Sequence, residues 1–353
     1  MAGTTAPLSG QSLSALEAPP DGGASGARDF AHYLGRKLAA AVVSFVLLLV
    51  VGFVIFSLIP SNPIEALTRG RPTSARQIAF LTRQLGLNQP VYERFGHFVL
   101  NTLQFHLGYS WQFETPVSTL ILQRLWPTLL LMGSSTIVSV LLGMWLGIHS
   151  GWRPGSLLDR ASTGSAITLW SVPTFWLGII LLVLGSVGFG PVPPLFPAGG
   201  MSTPGGPGGI ASVLDVARHL VLPCVTLVLV AFAQYQMIMR SSMIDETGMP
   251  YLLTARAKGL RDAEVRQRHV VPNALLPSVT LVFLQVGTMI SGAITVETVY
   301  SWPGLGYLTY QALQIPDLPL LEGTFIVFSA SVIVFNLLAD LCYRFLDPRV
   351  RRA

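Results

Sequence analysis

The polar chemistry of this sequence is concentrated in residues 251–277, between two long apolar runs. Pro250 suits the start of a helix, because a donor there would be unpaired, and Gly259 suits a left-handed helix stop. They predict a helix of about nine residues, which is too short to be stable alone in water. Small residues beside Arg256 and Lys258 favour close packing with a polar rim, so we interpret the segment as a docking surface for a protein partner.

Composition alone favours a simpler interpretation of the same segment, a loop whose basic residues only follow the positive-inside bias. Elsewhere, no residues have the spacing of a catalytic or metal site. The sequence lacks a G-x-x-x-x-G-K-[ST] phosphate loop, its six histidines are scattered singly, and Cys224 and Cys342 lie far apart in or beside apolar runs. We therefore predict no catalysis, no bound metal and no disulfide framework.

The elements that carry these residues are apolar. The chain is 51% hydrophobic and only 11% charged, with a mean hydropathy of +0.58, which excludes an ordinary soluble domain. A helix needs about 20 apolar residues to cross the hydrocarbon core. Six runs qualify: 38–59, 127–148, 161–187, 220–239, 275–296 and 323–339. The fold class predicted is an all-α polytopic membrane protein with six transmembrane helices.

Basic residues predict the orientation of these helices. Most of the 22 Lys and Arg residues lie on the side that holds both termini, which the positive-inside rule places in the cytoplasm. Six arginines lie on the other side in segment 61–125, which is long enough to translocate regardless of charge. The first run is long enough to span and no cleavage site closes it, so we expect a retained anchor rather than a signal peptide.

The domain organisation follows from these runs. Loop 188–212 is rich in Pro and Gly and is expected to be a flexible loop or lid. The predicted units are a disordered cytoplasmic tail (1–27), a first transmembrane helix (28–60), an extracytoplasmic subdomain (61–125), a five-helix core with the cytoplasmic loop 241–277 (126–346) and a cytoplasmic C-terminal tail (347–353).

Polar and small residues within the runs suggest contacts between helices. Gly143 and Gly147 form a G-x-x-x-G pair, and Pro173 interrupts the donor ladder of the third run; movable packing and static packing both fit this pattern. A polar stripe on the fifth run would line a pore or bond to a neighbouring helix, and it consists of Gln285, Thr288, Gly292 and Thr295. Glu297 follows at the outer end, where its carboxylate can reach water.

Several strings resemble one known family. Thr254-Ala255, with Gly259 and later Pro272, is similar to the EAA motif of importer permeases, although Leu253 stands where Glu is usual. His269 and the following Asn-Ala-Leu-Leu-Pro resemble the peptide-type members, which commonly lack that Glu. The string from Val296 through Glu297, Trp302, Pro303 and Gly304 to Gly306 resembles a hallmark of the same branch.

Further strings of the N-terminal half fit the same branch: Leu-Gly-Leu-Asn-Gln-Pro at 85–90, Leu-Gly-Tyr-Ser at 107–110 and Arg-Leu-Trp-Pro-Thr-Leu at 124–129. His106 replaces the usual acidic residue before Leu107, so no role is assigned to it. The resemblance covers roughly residues 36–351. It identifies the chain as a member of the inner-membrane permease subunits of bacterial ABC importers, in the dipeptide/oligopeptide/nickel branch.

The resemblance implies a type I ABC importer permease fold in the bacterial cytoplasmic membrane. The chain would form half of a pore with a second permease, among membrane lipids, and pair with two ATPases and an extracytoplasmic substrate-binding protein. ATP and Mg would be used by the partners, with no cofactor bound here and no nucleic acid. The expected cargo is di- or oligopeptide, with nickel, haem, glutathione or another small solute as alternatives.

The resemblance also assigns roles to residues. ATPase coupling through a short helix is expected of Tyr251, Thr254, Ala255, Arg256, Ala257, Lys258, Gly259 and Pro272. External gate roles are expected of Glu297, Trp302, Pro303 and Gly304. An ion-coupled secondary transporter is the competing class, and it is disfavoured because the six runs contain no Asp, Glu, Lys or Arg.

Overall fold

The computed structural model describes residues 24–59, 74–84, 89–188, 193–206 and 208–346. Within helices, the side chains of residues 24–29, 80, 81, 83, 84, 276, 280, 281, 283–293 and 342–346 lie outside that description. In the part of the chain so described, the only β-structure is an isolated bridge between Tyr109 and Pro116. The predicted all-α class is confirmed.

Twelve helices account for most of the described residues. They are α1 (Ala24–Leu58), α2 (Ala75–Gln84), α3 (Val91–Leu103), α4 (Val117–Trp152), α5 (Leu157–Ser171), α6 (Thr174–Leu182), α7 (Ile210–Thr247), α8 (Tyr251–Ala257), α9 (Asp262–Val265), α10 (Val271–Val299), α11 (Leu305–Gln314) and α12 (Leu318–Leu346). Single π-helical turns extend α6 over Val183–Val187 and precede α10 over Arg266–Val270.

Four helical segments within the described ranges are long and apolar enough to cross a membrane: Phe30–Leu58, Val117–Trp152, Ile210–Thr247 and Leu318–Leu341. The pair formed by α5 and α6 gives a fifth candidate. Helix α10 has 29 residues and is also long enough, although the side chains in its middle lie outside the description. The arrangement is compatible with the predicted six crossings.

The third predicted crossing is not one straight helix, and this corrects the interpretation of run 161–187. Helix α5 ends at Ser171, α6 begins at Thr174, and the two are bent by 101°. Pro173 is the cause, because it cannot donate to the helix ladder and it disfavours helical geometry at Val172 before it. Val172 accordingly has extended backbone angles.

The tightest helix pair is α4 with α7, and glycine makes its close approach possible. A Cβ added at Gly143 would lie 2.6 Å from the Cβ of Tyr235, and one added at Gly147 would lie 2.6 Å from the Cβ of Met239. Gly151 continues the seam one turn further, with Met243 at 2.5 Å. The predicted G-x-x-x-G pair is thus part of a three-glycine seam along α4.

The domain boundaries differ from the predicted ones at several points. Helix α1 begins at Ala24, inside the tail predicted for 1–27, and α4 begins at Val117, inside the subdomain predicted for 61–125. Helices α2 and α3 lie in that subdomain. Residues 1–23, 60–73 and the predicted tail 347–353 lie outside the described residues.

The Pro- and Gly-rich segment before α7 is irregular, as predicted, yet its described part 193–206 is fastened at three points. The backbone N–H of Phe196 donates to the carbonyl of Gly185 on α6, and that of Gly200 donates to the carbonyl of Tyr300 at 2.9 Å. The amide and hydroxyl of Thr203 donate to the carboxylate of Asp215 at 2.7 and 2.8 Å. These bonds hold segment 193–206 against the end of α10.

Candidate functional site

Two clusters of sequence-predicted residues lie at opposite ends of α10. We call them the Tyr251 end, where α8 and α9 precede α10, and the Trp302 end, where α10 leads into α11. Helix α10 connects them with 29 residues, or about 44 Å at 1.5 Å per residue. The predicted coupling and gate residues therefore belong to two separate sites.

Helix α8 is seated on its own chain through one face. Leu252 is 1% exposed and Ala255 is 6% exposed, and both belong to a cluster with Met239 and Met243 of α7 and Val265 of α9. Seven residues form the helix, against about nine expected. A helix of this length depends on such packing because it cannot sustain itself in water.

The ends of α8 are set by the two residues that punctuate the sequence there. Pro250 occupies the N-cap position, and Gly259 has φ of +80° immediately after the C-terminal turn. A side chain at Gly259 would meet nothing within 4 Å, so its requirement for glycine is conformational rather than steric. Arg256 pairs weakly across this turn with Asp262, with 3.5 Å between nitrogen and oxygen.

Tyr251 ties three elements together at this end. Its hydroxyl bonds to the carboxylate of Glu246 at the end of α7 and to the carbonyl of His269 at 3.2 Å, and it accepts from Asn273 Nδ2 of α10 at 3.0 Å. Partial burial, and after it the bond to Glu246, raises the pKa of Tyr251 above its usual value. The phenol therefore stays protonated at physiological pH and keeps its hydrogen bond to Glu246.

No described part of the chain covers the opposite face of α8. Leu253 is 68% exposed. The other coupling candidates on this face are also exposed: Thr254, Arg256, Ala257, Lys258 and Gly259, with Pro272 exposed at the start of α10. Ala255 is different, because it faces inward and cannot touch a partner directly.

The predicted pore stripe lies mostly outside the description. The side chains of Gln285, Thr288 and Gly292 are outside the described residues, although their backbone forms part of α10. Thr295 is exposed near the end of this helix. The stripe stays a prediction.

Glu297 is fully buried at the Trp302 end, and this corrects the expectation that its carboxylate reaches water. One oxygen accepts from the hydroxyl of Thr128 on α4 at 2.7 Å. The other accepts from the backbone N–H groups of Gly306 and Tyr307, at 2.7 and 3.0 Å, in the first turn of α11. The carboxylate thus caps α11, where the partial positive charge of the helix start favours an anion.

The residues after Glu297 complete this junction. Trp302 is fully buried and donates its indole N–H to the carbonyl of Pro127 on α4 at 2.9 Å. Tyr300 donates to the carbonyl of Gly178 on α6 at 2.9 Å and bonds to Thr226 of α7 at the same distance. The gate candidates Pro303 and Gly304 lie half-buried and buried in the connecting turn.

Two buried acidic residues were not singled out from the sequence. Asp159 of α5 is 3% exposed and forms an ion pair with Arg240 of α7. Asp317 is fully buried and accepts bonds from Ser110 and from the backbone of Gln112. Both partners lie far away in sequence, so spacing gives no signal for either contact. Isolated acidic residues at the edges of apolar runs are the one pattern that could have marked them.

Two family models together match nearly the whole chain. One, described as "Binding-protein-dependent transport system inner membrane component", matches residues 139–352, and the N-terminal model of the same transport systems matches residues 30–132. Half of the chain or more is thus covered by a single family model, and the two ranges follow each other without overlap.

Curated relatives give the same result. The chain is similar to the dipeptide transport system permease protein DppB of Escherichia coli K12, with 32% identity over 336 residues covering 91% of this chain and 98% of the relative. The glutathione transport system permease protein GsiC of Salmonella choleraesuis is 34% identical over 321 residues, covering 91% and 99%. A solved methionine ABC transporter structure matches 65% of this chain and 96% of its own with 16% identity and a TM-score of 0.49. The chain belongs to the family of binding-protein-dependent transport system inner membrane components, the non-catalytic permease subunits of ABC importers.

Proposed function

We propose that this chain forms half of a pore for di- or oligopeptides and that ATP-hydrolysing partner subunits drive it by binding α8. Membership in the family implies ATPase and substrate-binding partners. The finer assignments are a second homologous permease for the other half of the pore, two ATPases at the Tyr251 end, and an extracytoplasmic binding protein at the Trp302 end. Both chain termini then lie in the cytoplasm of a bacterium.

The two-faced geometry of α8 carries the proposal. Leu252 and Ala255 hold the helix to α7, while Leu253, Arg256 and Lys258 are exposed. An exposed leucine followed by two exposed basic residues suits a groove with an apolar floor and an acidic rim, as in the binding of short helices. Tyr251 fastens α8 to both α7 and α10. Movement of the partner that holds α8 in its groove would therefore reach two long helices directly.

Orientation is supported by charge. The segment with α8 and α9 contains Arg256, Lys258, Arg261, Arg266 and Arg268 within 13 consecutive residues, and it is short enough for the positive-inside rule to apply. A cytoplasmic Tyr251 end also places α8 where ATP is available. The secondary transporter that the sequence left open is disfavoured by membership in an ATP-driven importer family.

Photo-crosslinking tests the docking surface. Benzoylphenylalanine at Leu253 should form an adduct with an ATPase subunit when the native complex is irradiated, and mass spectrometry identifies that adduct. Leu157 is the matched control, because it is 85% exposed at the start of α5, near the Tyr251 end. An ATPase adduct from position 157 and none from position 253 would contradict the proposal.

Cargo is tested separately. The relatives transport dipeptides and glutathione by their names, so a peptide and a γ-linked tripeptide are the two candidates. The complete complex with its binding protein should be placed in proteoliposomes, and uptake of a labelled dipeptide, with and without excess glutathione, measured beside uptake of labelled glutathione. Dipeptide uptake that excess glutathione leaves unchanged supports the peptide assignment, whereas uptake of glutathione alone would replace it.

A further inference from the structure

One short stretch of α7, Met239 to Met243, contacts α4, α5 and α8 among its neighbours. Met239 and Met243 support α8 through the cluster with Leu252 and Ala255, and they also meet Gly147 and Gly151 of α4. Arg240 lies between the two methionines and points about 100° away from Met239, toward α5. This same stretch of α7 is therefore in contact with the docking helix on one side and with the bent span on another.

The contact between Arg240 and α5 has a fixed geometry. Arg240 Nη2 donates to Asp159 Oδ2 at 2.9 Å, while Nε donates to Oδ1, which makes the pair bidentate. The N–H of Gly155 donates to the same Asp159 Oδ2 at 2.8 Å, so the carboxylate is held from both sides. A fork-to-fork pair defines the relative position of two helices more strictly than a single point contact.

A second polar contact lies one turn along from the pair. Gln236 is fully buried and donates to Thr163 of α5 at 3.3 Å, and Thr163 in turn donates to Asp159 Oδ1 at 3.3 Å. Beyond it the packing of α5 on α7 is apolar, with Ala166 against Phe232 and Ala233. The bidentate ion pair adds directional bonds to this apolar packing, and these bonds fix the register of α5 on α7.

The far half of the bent span has its own attachment. Helix α6 is held through the carbonyl of Gly178, which accepts from Tyr300 at the Trp302 end. Helix α5 is thus anchored near α8 and α6 is anchored near α11, with the 101° bend between them. A displacement of α7 at the Tyr251 end would reach α5 through Asp159 and Arg240 before it reaches α6.

We propose that Asp159 and Arg240 are positioning residues that make α5 move with α7, and so carry movement of the docking helix α8 into the bent span. This inference rests on the proposed function of α8. It adds a coupling route within the chain: the partner moves α8, α8 moves the Met239–Met243 stretch, and the ion pair moves α5. Loss of the pair should therefore separate ATP hydrolysis from transport.

The test compares uptake with hydrolysis in the complete complex, reconstituted with its binding protein. Asp159→Asn, Arg240→Lys and the double variant Asp159→Asn with Arg240→Gln should all assemble, because none leaves a carboxylate buried and unpaired, and the Arg240 side chain is 28% exposed and can reach solvent. In the double variant, substrate taken up per ATP hydrolysed should fall between about 2-fold and about 30-fold, the range of coupling changes that mutations along such networks produce. Arg240→Lys should show a smaller fall, since it keeps the charge and loses the fork.

Lys37→Gln is the matched control. Lys37 pairs with Asp340 at 2.8 Å between α1 and α12, away from α7 and α8, and it is partly exposed. Its loss should leave the ratio of uptake to hydrolysis unchanged. If the double variant also keeps the normal ratio, or if uptake and hydrolysis fall together with the amount of assembled complex, the pair is only a structural anchor and the proposal is wrong.

The crosslink at Leu253 separates this failure from failure of the proposed function. An adduct to the ATPase in the double variant, together with a normal ratio, would overturn the role of Asp159 and Arg240 and leave the docking surface intact. No adduct from benzoylphenylalanine at position 253 in a chain that keeps Asp159 and Arg240 would overturn both.

Discussion

The two ends of α10 use a short helix in opposite ways. At the Trp302 end, α11 is buried through Leu305, Gly306, Leu308 and Ala312, and its first turn is capped by a carboxylate with no exposed surface. At the Tyr251 end, α8 buries only Leu252 and Ala255. At one end the short helix is packed within the chain, and at the other a face of the short helix is left exposed.

The polar anchors differ in the same way. Glu297 is fully buried with all its described partners in α4 and α11, whereas the Tyr251 hydroxyl is bonded within the chain although the residue is 39% exposed. Breaking a buried anchor leaves unsatisfied groups that water cannot reach, while water can replace a bond at an exposed one. We therefore expect substitutions at the Trp302 end to affect stability, and substitutions at the Tyr251 end to affect transport.

Gly304→Ala should have the largest effect on stability. A Cβ at this position would overlap the carboxylate of Glu297, so the buried cap of α11 must shift. Overpacking together with loss of the cap should reduce the free energy of unfolding by about 3 kcal/mol or more. The thermal midpoint of the purified complex in detergent measures this loss.

Gly164→Ala is the control for that substitution. Gly164 lies inside α5, and a Cβ there meets nothing within 4 Å. Alanine should be neutral or stabilising by up to about 1 kcal/mol, because it is the better helix former. Equal destabilisation by both substitutions would contradict the view that the Trp302 end is tightly packed.

Gly259→Val should abolish uptake while leaving membrane insertion intact. The left-handed conformation at φ of +80° costs a non-glycine residue about 1–2 kcal/mol, and a β-branched residue more, so α8 would end differently and its exposed face would be displaced. Gly259→Asn should keep most uptake, because asparagine tolerates this conformation. Uptake and the amount of chain in the membrane are the two measurements; normal uptake by the valine variant would refute the role of α8.

Tyr251→Phe should have the smallest effect on stability and a measurable one on transport. It removes the hydroxyl that joins Glu246 and Asn273, at a cost of about 0.5–1.5 kcal/mol. The thermal midpoint should change little, while uptake per ATP hydrolysed should fall. A large fall in the midpoint with an unchanged ratio would show that this end is as rigid as the other.

Much of the fold could be predicted because the membrane imposes it. Apolar runs of about 20 residues located the four long helices, and Gly259 located the end of α8 from its backbone requirement alone. The bend at Pro173 was visible as an interruption, but its 101° angle was not, since that depends on how α5 and α6 each pack on α7. The start of α4 was missed because its first turns, Val117 to Arg124, are partly polar.

The site was predicted less completely, and the reason is tertiary contact. Glu297 at the end of a run indicates access to water, unless one knows that α11 folds back over it and that Thr128 lies opposite. Asp159 and Arg240 are 81 positions apart, so no local spacing connects them. Position relative to the membrane can be inferred from one sequence, whereas the pairing of buried polar groups requires the fold.

The glycine seam of α4 also makes the spacing of two helices adjustable. Gly143, Gly147 and Gly151 each leave room for only a hydrogen atom against α7, so one methyl group acts as a spacer of known position. Gly151→Ala would open the seam beside Met243 and tilt α4 away from α7 at the Tyr251 end. Gly143→Ala would open the seam beside Tyr235, about two turns further from that end. A graded series of such spacers would allow the inclination of α4 to be set experimentally, one turn at a time.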